Sequence, residues 1–404
     1  MKMSVDEQVA LLMHGSEFGD EQTKQNMTEE LRERLKEGRP LRVYCGYDPT
    51  APDIHLGHTV TMRKLQQFQA LGHQVVFLIG TFTSLIGDLS DKDRARPRPS
   101  LEEVEENART YVQQAFKILD PELTEVRYNG EWLSELSFEE IIGLAAQFTV
   151  QQFLARDNFS RRYERGDPIW LHEFLYALMQ GYDAVMLETD VQIGGTEQLF
   201  NLLAGRKLQE NFGQKPQICI TFPILVGTDG TERMSKSMGN YIGVDEPPDE
   251  MYGKVMSLPD EAMPNFFDLV TRWTPDEIAR IKAELADGGL HPRDSKMQLA
   301  WEIVDAFHGS EGADAAQEHF RTVFQKRELP DDMPERVLAE PVNVVDLIFE
   351  AGMAKSKSEA RRLVEQGAVK LDDERVDDIG HTIEPGEAVL RVGRRRFLKL
   401  KPGS

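Results

Sequence analysis

The 404-residue sequence is poor in cysteine, with only Cys45 and Cys219, and poor in tryptophan, with four. Two thiols in so long a chain give no disulfide framework and fit a reducing compartment. No apolar run approaches the roughly 18 residues of a membrane-spanning helix. The polar, acidic start has no apolar stretch of the kind that targets a chain for export. Positive charge is also short, because 47 Lys and Arg face 69 Asp and Glu, a formal net charge of −22. That balance argues against a surface coated with nucleic acid and leaves room only for a local basic face. The expectation is a cytosolic chain, long enough for two or three domains with at least one large core.

The acidity is unevenly spread. Residues 342–404 carry twelve basic and eleven acidic side chains, leaving 35 against 58 for residues 1–341. A tract of proline and charge at 326–341 precedes the balanced segment and reads as a linker. Upstream, residues 1–40 read as helical, 41–80 as strand, helix and strand, and about 100–190 as mostly helical. Residues 190–245 read as strand-rich, and 246–325 as helical again. Beyond the linker, Ser356-Lys-Ser-Glu359 has the pattern of a capping box. It opens a helix that carries Arg361 and Arg362 and stops at Gly367. Short strands follow, ending in one that contains Arg394, Arg395 and Arg396.

Two short signals carry chemistry. The first follows Leu41 to Tyr47, where Leu41, Val43 and Cys45 alternate with Arg42 and Tyr44 as in a strand. A polar turn then leads into a helix opening with His55-Leu56-Gly57-His58, and Val75 to Ile79 reads as the next strand. His55 and His58 share a face at the helix start, where unpaired N–H groups and the helix dipole favour an anion. Phosphate is the natural ligand, and Gly57 leaves room for a flat base or a ribose against the backbone. Two histidines that merely cap a helix would look the same. A zinc reading fits worse, because the H-E-x-x-H arrangement and its general-base Glu are absent.

The second signal is Arg233-Met234-Ser235-Lys236-Ser237, placed on a loop after a strand read over Ile218 to Gly227 and the turn Thr228 to Thr231. Arg233 and Lys236, with Ser235 and Ser237, suit a mobile cationic clamp on a transferring phosphoryl group. A solvated basic loop is the plainer alternative. Between the signals, Tyr176, Gln180 and Asp183 are spaced to project from one helix face, a polar one for a buried position. An amphipathic surface helix would have the same spacing.

Taken together and in this order, the signals resemble the HIGH and KMSKS signatures of class I aminoacyl-tRNA synthetases. Tyr44 to Thr50, Leu85 to Asp88, Tyr176 to Asp183 and Gln192 to Gln198 are similar to motifs of the bacterial tyrosyl enzymes, and the resemblance runs from about residue 30 to the C-terminus. It implies an α/β fold: a Rossmann-like parallel-sheet catalytic domain over 1–245, with a helical insertion at about 100–190. An α-helical anticodon-side domain over 246–325, the linker and a small α+β RNA-binding domain over 342–404 would follow. It also implies that tyrosine is activated by ATP with Mg²⁺ accompanying the nucleotide, that tRNA(Tyr) is the acceptor, and that the enzyme is a homodimer.

The same resemblance assigns residues. His55, His58, Arg233 and Lys236 would contact the phosphates, with Thr50 assisting. Tyr176, Gln180 and Asp88 would hold the substrate ammonium, and Tyr44 and Asp183 the phenolic hydroxyl. Cys45, Gly195, Glu197 and Gln198 would surround the ribose and the substrate carboxylate, and Gly46, Asp48, Gly57, Ser235 and Ser237 would complete the nucleotide site. Lys92 and Arg96 lie in a charged loop near enough in sequence to Asp88 to reach phosphates. Arg361, Arg362, Arg394, Arg395 and Arg396 would meet RNA phosphates. The chain departs from the commonest pattern at Glu197, usually Asp, at Leu199, often aromatic, and at Arg233, which offers a planar fork in place of Lys. The longer Glu197 is expected to reach a ribose hydroxyl only with a small backbone shift. A tryptophanyl enzyme shares the scaffold but gives Asp183 no hydroxyl partner. A nucleotidyltransferase without a tRNA substrate would not need the helical and basic C-terminal regions.

Overall fold

The computed structural model describes residues 3–49, 51–87, 100–325, 333–372, 374–393 and 396–403. The chain forms two compact units, Met1–Gln317 and Glu318–Ser404. Among the described residues, no helix is long and apolar enough to cross a membrane.

The first unit begins with α1 (Val5–Met13) and α2 (Glu21–Lys36), then β1 (Arg42–Tyr47), α3 (Leu56–Ala70) and β2 (Gln74–Ile79). Next come α4 (Leu101–Ala115), β3 (Thr124–Tyr128) and a run of helices: α5 (Gly130–Leu133), α6 (Phe138–Ala145), α7 (Val150–Leu154), α8 (Asp157–Arg165) and α9 (Leu171–Leu187). β4 (Val191–Gly195), α10 (Leu199–Asn211) and β5 (Ile218–Phe222) complete the sheet. Its order is β3-β2-β1-β4-β5, and every pairing is parallel. The chain builds outward from β1 in one direction, then returns to build outward from β4 in the other. The crevice at the carboxyl ends of β1 and β4 is therefore the topological switch point, where open α/β sheets bind ligands.

A sheet of this kind is covered by helices on both faces, so its central strands bury both faces. The strand read over Leu41 to Tyr47 is one of these, and Val43 and Tyr44, on opposite faces, both have no exposed surface. Tyr44 joins Val76, Leu78, Trp132, Tyr176 and Met179 in the core under α9. Differences from the sequence reading have local causes. β3 lies inside the stretch read as helical, because Thr-Glu-Val-Arg-Tyr is a short edge strand with one aliphatic residue and no continuous apolar signal. α10 lies inside the stretch read as strand-rich, because its buried face includes Asn201 and Gln209, which blur the apolar period. β5 stops at Phe222, short of the expected Gly227, because Pro223 has no N–H to donate.

Four more helices, α11 (Pro248–Met256), α12 (Met263–Val270), α13 (Pro275–Ala286) and α14 (Pro292–Phe320), follow the sheet, and α14 is broken at Gly309, where φ is +73°. Thr274 and Glu277 form a reciprocal cap at the start of α13, with Pro275 in its first turn.

The second unit holds β6 (Glu335–Leu338), β7 (Val342–Asn343), α15 (Val344–Glu350), α16 (Lys357–Glu365), β8 (Val369–Leu371), β9 (Glu374–Val376), β10 (Thr382–Ile383), β11 (Ala388–Val392) and β12 (Arg396–Pro402). Five strands make a sheet of order β6-β12-β11-β8-β9, in which β6 runs parallel to β12 and the other pairs are antiparallel. Val344, Leu347, Ile348, Ala360, Val364, Leu390 and Leu400 form its core. The tract read as a linker thus supplies an edge strand, with Leu338 buried. At α16 the Ser356 hydroxyl accepts from the Glu359 N–H as expected, but the Glu359 carboxylate accepts from the Lys355 N–H, one residue earlier than a full capping box requires.

Candidate active site

His55 is the N-cap of α3, and its Nδ1 accepts the N–H of Gly57 at 3.1 Å. The N–H of His55 donates in turn to Nδ1 of His58 at 3.2 Å, and the two rings lie 4.0 Å apart. Since each Nδ1 accepts a backbone proton, each neutral ring carries its own proton on Nε2 and can donate it. Burial is the main reason that the His55 pKa falls to about 2 and the His58 pKa to about 4, with the nearby Lys236 charge adding to both. The pair is a neutral donor set at physiological pH. Gly57 is required by this cap: a Cβ there would sit 2.9 Å from Cε1 of His55.

The second signal is held against the first by backbone. Leu56 donates to the carbonyl of Ile242 at 2.9 Å and Val244 donates to that of Ile54 at 3.1 Å, flanking a bridge between His55 and Gly243. Arg233 pairs with Val226 in a second bridge, closing a tight turn over Gly227 to Glu232. Met234 is buried and anchors the loop, while Lys236 begins a short turn ended by Gly239. Asn240, 5% exposed, organises the whole segment. Its side chain accepts from the Ser235 N–H at 2.8 Å and donates to the Arg233 carbonyl at 3.0 Å and to Asp229. The hydroxyls of Ser235 and Ser237 bond each other at 2.8 Å, and Lys236 Nζ lies 2.9 Å from Oδ2 of Asp53.

Across the switch point, α9 brings Tyr176, Gln180 and Asp183 to the carboxyl end of β1. The Tyr176 hydroxyl donates to Oδ2 of Asp48 at 2.9 Å, and Thr83 donates to the other oxygen at 2.7 Å. Gln180 accepts from Asn201 at 3.0 Å. Asp183, 2% exposed, accepts from the Trp132 indole at 2.8 Å and from Asn129 at 3.3 Å. Burial dominates these bonds and raises the Asp183 pKa to about 8. The Tyr44 side chain is fully buried, and its hydroxyl makes no hydrogen bond of ordinary geometry with the described residues, the side chain of Gln217 being a polar neighbour. Burial, and after it the Asp183 charge, push its pKa well above the usual value.

At the end of β4, Gln198 accepts from the Gly195 N–H at 3.3 Å. A Cβ on Gly195 would lie 2.2 Å from a carboxylate oxygen of Glu197. The longer acid therefore folds back over Gly195, in space that only glycine leaves. Cys45 and Gly46 lie at the end of β1, with burial raising the Cys45 pKa to about 11. Thr50, Asp88, Lys92 and Arg96 lie outside the described residues, as do Arg394 and Arg395. In the second unit, Arg361 and Arg362 are exposed on α16, and Arg396 donates to the Met353 carbonyl from β12. The sequence reading missed Asp53, Asn129, Trp132 and Asn240. Trp132 and Asn129 are close to β3, itself unread, and nothing in an isolated Asn marks it as a loop organiser.

The family model described as tRNA synthetases class I (W and Y) matches residues 36–325. A relative in Thermotoga maritima, named tyrosine--tRNA ligase, is 53% identical over 93% of this chain and 94% of its own. The chain belongs to this synthetase family. A second relative of the same name, from Oleidesulfovibrio alaskensis, is 49% identical over 98% of this chain and 99% of its own. An S4 domain matches residues 343–389. Among solved structures, a C-terminally truncated mitochondrial tyrosyl-tRNA synthetase of Aspergillus nidulans is 25% identical with a TM-score of 0.62, covering 79% of this chain and 93% of its own. A tyrosyl-tRNA synthetase of Archaeoglobus fulgidus complexed with L-tyrosine shares the fold at 22% identity and a TM-score of 0.61, over 78% of this chain and 100% of its own. The parallel sheet of this synthetase, with its helices and its small C-terminal sheet, is the α/β architecture that the sequence resemblance implies.

Proposed function

We propose that this chain is a tyrosine–tRNA ligase. It activates tyrosine with ATP to tyrosyl-adenylate and pyrophosphate, then transfers tyrosine to the 3′ end of tRNA(Tyr). The observation that carries the choice of amino acid is the buried Tyr44 hydroxyl, without a hydrogen bond of ordinary geometry among the described residues and within the electrostatic reach of the buried Asp183 side chain. A phenolic hydroxyl entering there can donate to Asp183 and accept from Tyr44. A substrate without that hydroxyl brings no partner to Tyr44 and leaves Asp183 with only its bonds from Trp132 and Asn129, and such sites reject the lacking analogue strongly. That rejection, with a tyrosyl enzyme as the example, is a known instance of the rule.

The chemistry asks little covalent work of the protein. The tyrosine carboxylate is already ionised, so its oxygen attacks the α-phosphorus and the bond to the bridging oxygen breaks, releasing pyrophosphate. In the second step a terminal tRNA hydroxyl attacks the carbonyl carbon and AMP leaves. Both steps depend on positioning, the first also on stabilising charge at phosphorus and the second on stabilising it at the carbonyl oxygen and the departing phosphate. His55 and His58 donate through Nε2 to the phosphates, and Arg233 and Lys236 neutralise the leaving group, with Thr50, Ser235 and Ser237 assisting. Tyr176, Gln180, Asp88 and Gln198 hold the tyrosine ammonium and carboxylate. Cys45, Gly46, Asp48, Gly57, Gly195 and Glu197 shape the nucleotide site. Imidazole, ammonium, guanidinium and backbone N–H groups suit phosphate oxygens, so a Mg²⁺ that enters with ATP would be held by those oxygens and water.

The reading extends to the rest of the chain. Residues 246–325 serve as the anticodon-side domain, and 342–404 as the RNA-binding domain, where Arg361, Arg362, Arg394, Arg395 and Arg396 meet phosphates. The chain acts as a homodimer, which the exposed Phe138 (78%), Ile142 and Leu171 (82%) on α6 and α9 support. Its place is the cytoplasm, in keeping with two buried free thiols. Exchange of pyrophosphate into ATP, measured with tyrosine, phenylalanine and tryptophan, tests the proposal. Exchange with tyrosine alone is expected; exchange with tryptophan, or with none of the three, overturns it.

A further inference from the structure

We propose that Asp53 is a positioning residue for Lys236, holding the lysine at rest and competing with nucleotide phosphate for it. The inference rests on the tyrosine–tRNA ligase reading above and concerns the same site. Lys236 Nζ lies 2.9 Å from Asp53 Oδ2, and Asp53 stands two residues before His55. The backbone bonds from Ile54 and Leu56 to Val244 and Ile242 fix these two segments against each other, so the pair is a built feature of the site. Its lysine is half-buried and its carboxylate is 58% exposed, on the side open to water. The charge of Lys236 is felt by both histidines, which places the ammonium within reach of whatever anion they bind.

No step of the chemistry uses a carboxylate at this position. Its effect is on the lysine: the bond to Asp53 draws the ammonium toward the carboxylate and so competes with a phosphate oxygen for it. An exposed pair of this kind costs little to open, so the competition is a modest one. It keeps the lysine ordered beside the site in the absence of nucleotide and lets a phosphate, with more charge, take it over.

The test is a cycle of four full-length proteins: unsubstituted, Asp53→Asn, Lys236→Ala and the double variant, each assayed for tyrosine-dependent pyrophosphate exchange across ATP concentrations. Asp53→Asn is expected to raise kcat/KM for ATP about two- to fivefold, the range set by an exposed ion pair. The rise is expected to vanish when Lys236 is Ala, while KM for tyrosine stays constant in all four. A rise that persists in the Lys236→Ala background means that Asp53 merely repels phosphate, and overturns the inference. So does the absence of any rise, with thermal melting confirming that Asp53→Asn is folded. Both results leave the ligase reading standing. An unsubstituted protein with no tyrosine-dependent exchange overturns that reading and the inference together.

Discussion

The indole N–H of Trp132 donates to Asp183 at 2.8 Å, with both side chains almost wholly out of water. The bond joins the short helix α5 to α9 at the base of the proposed tyrosine pocket. It fixes one carboxylate oxygen and leaves lone pairs for a substrate hydroxyl.

Trp132→Phe keeps the ring and removes the donor. Asp183 then loses its shorter bond, which should cost about 1–3 kcal/mol of stability as an underpaired buried group. The KM for tyrosine is expected to rise about tenfold, with the KM for ATP little changed. Melting curves and exchange assays with each substrate varied in turn check both expectations. An equal rise in both KM values would contradict the role.

The histidine pair makes a prediction about pH. His58 has a folded pKa of about 4, below the ordinary 6.5, so the fold favours its neutral form. Its contribution is fully present above pH 6.5. As pH falls from there toward 4, the unfolded chain takes up a proton that the folded chain refuses, and stability is lost. His58→Asn keeps an acceptor for the His55 N–H and does not titrate. Urea denaturation at pH 7 and pH 5 should show a loss about 2 kcal/mol smaller in the variant than in the unsubstituted protein. The exchange rate, for its part, should show no imidazole titration between pH 6 and 8.

Asn240→Ala removes the acceptor for Ser235 and the donor for Arg233 together. The signature loop loses its fixed shape, and the charge it delivers to the leaving group is misplaced. A fall of about tenfold or more in kcat is expected, with tyrosine affinity unchanged. Equilibrium binding of tyrosine beside the exchange rate separates the two. Loss of tyrosine binding would show that the effect spreads beyond the loop.

The C-terminal sheet dictates where the chain can be cut. A truncation after residue 341 leaves β6 without β12, an exposed edge strand that invites association. One ending before residue 333 removes the sheet whole. The shorter product is expected to keep pyrophosphate exchange and lose most tRNA charging, and to remain better dispersed than the longer one in light scattering. Loss of exchange in the shorter product would contradict the assignment of catalysis to the first unit.

Legibility from sequence followed the kind of signal each region carries. The strand, helix and strand around His55 were readable because apolar runs, a polar turn and a helix stop lie in order within a few dozen residues. The stripe of Tyr176, Gln180 and Asp183 was readable because helical spacing alone puts its members on one face. Trp132 and Asn129 were not, because what matters about them is a bond to Asp183 more than fifty residues on, which no local pattern encodes. The resting place of Glu197 was illegible for a related reason. The space that admits its extra methylene comes from Gly195, and a missing side chain is visible only in three dimensions. β6 was hidden by the prolines around it, and its strand partner among the described residues is the last strand, far on in the chain.

The backbone bonds between Ile54–Leu56 and Ile242–Val244 also bear on how the protein is made. The two halves of the proposed nucleotide site are about 190 residues apart in the chain, and backbone bonds hold them together. At a synthesis rate of about 5–20 residues per second, roughly 10–40 s separate the emergence of the first half from that of the second. For that interval the nascent chain carries an incomplete form of the proposed site, and both halves are present only when about three quarters of its first unit has been made.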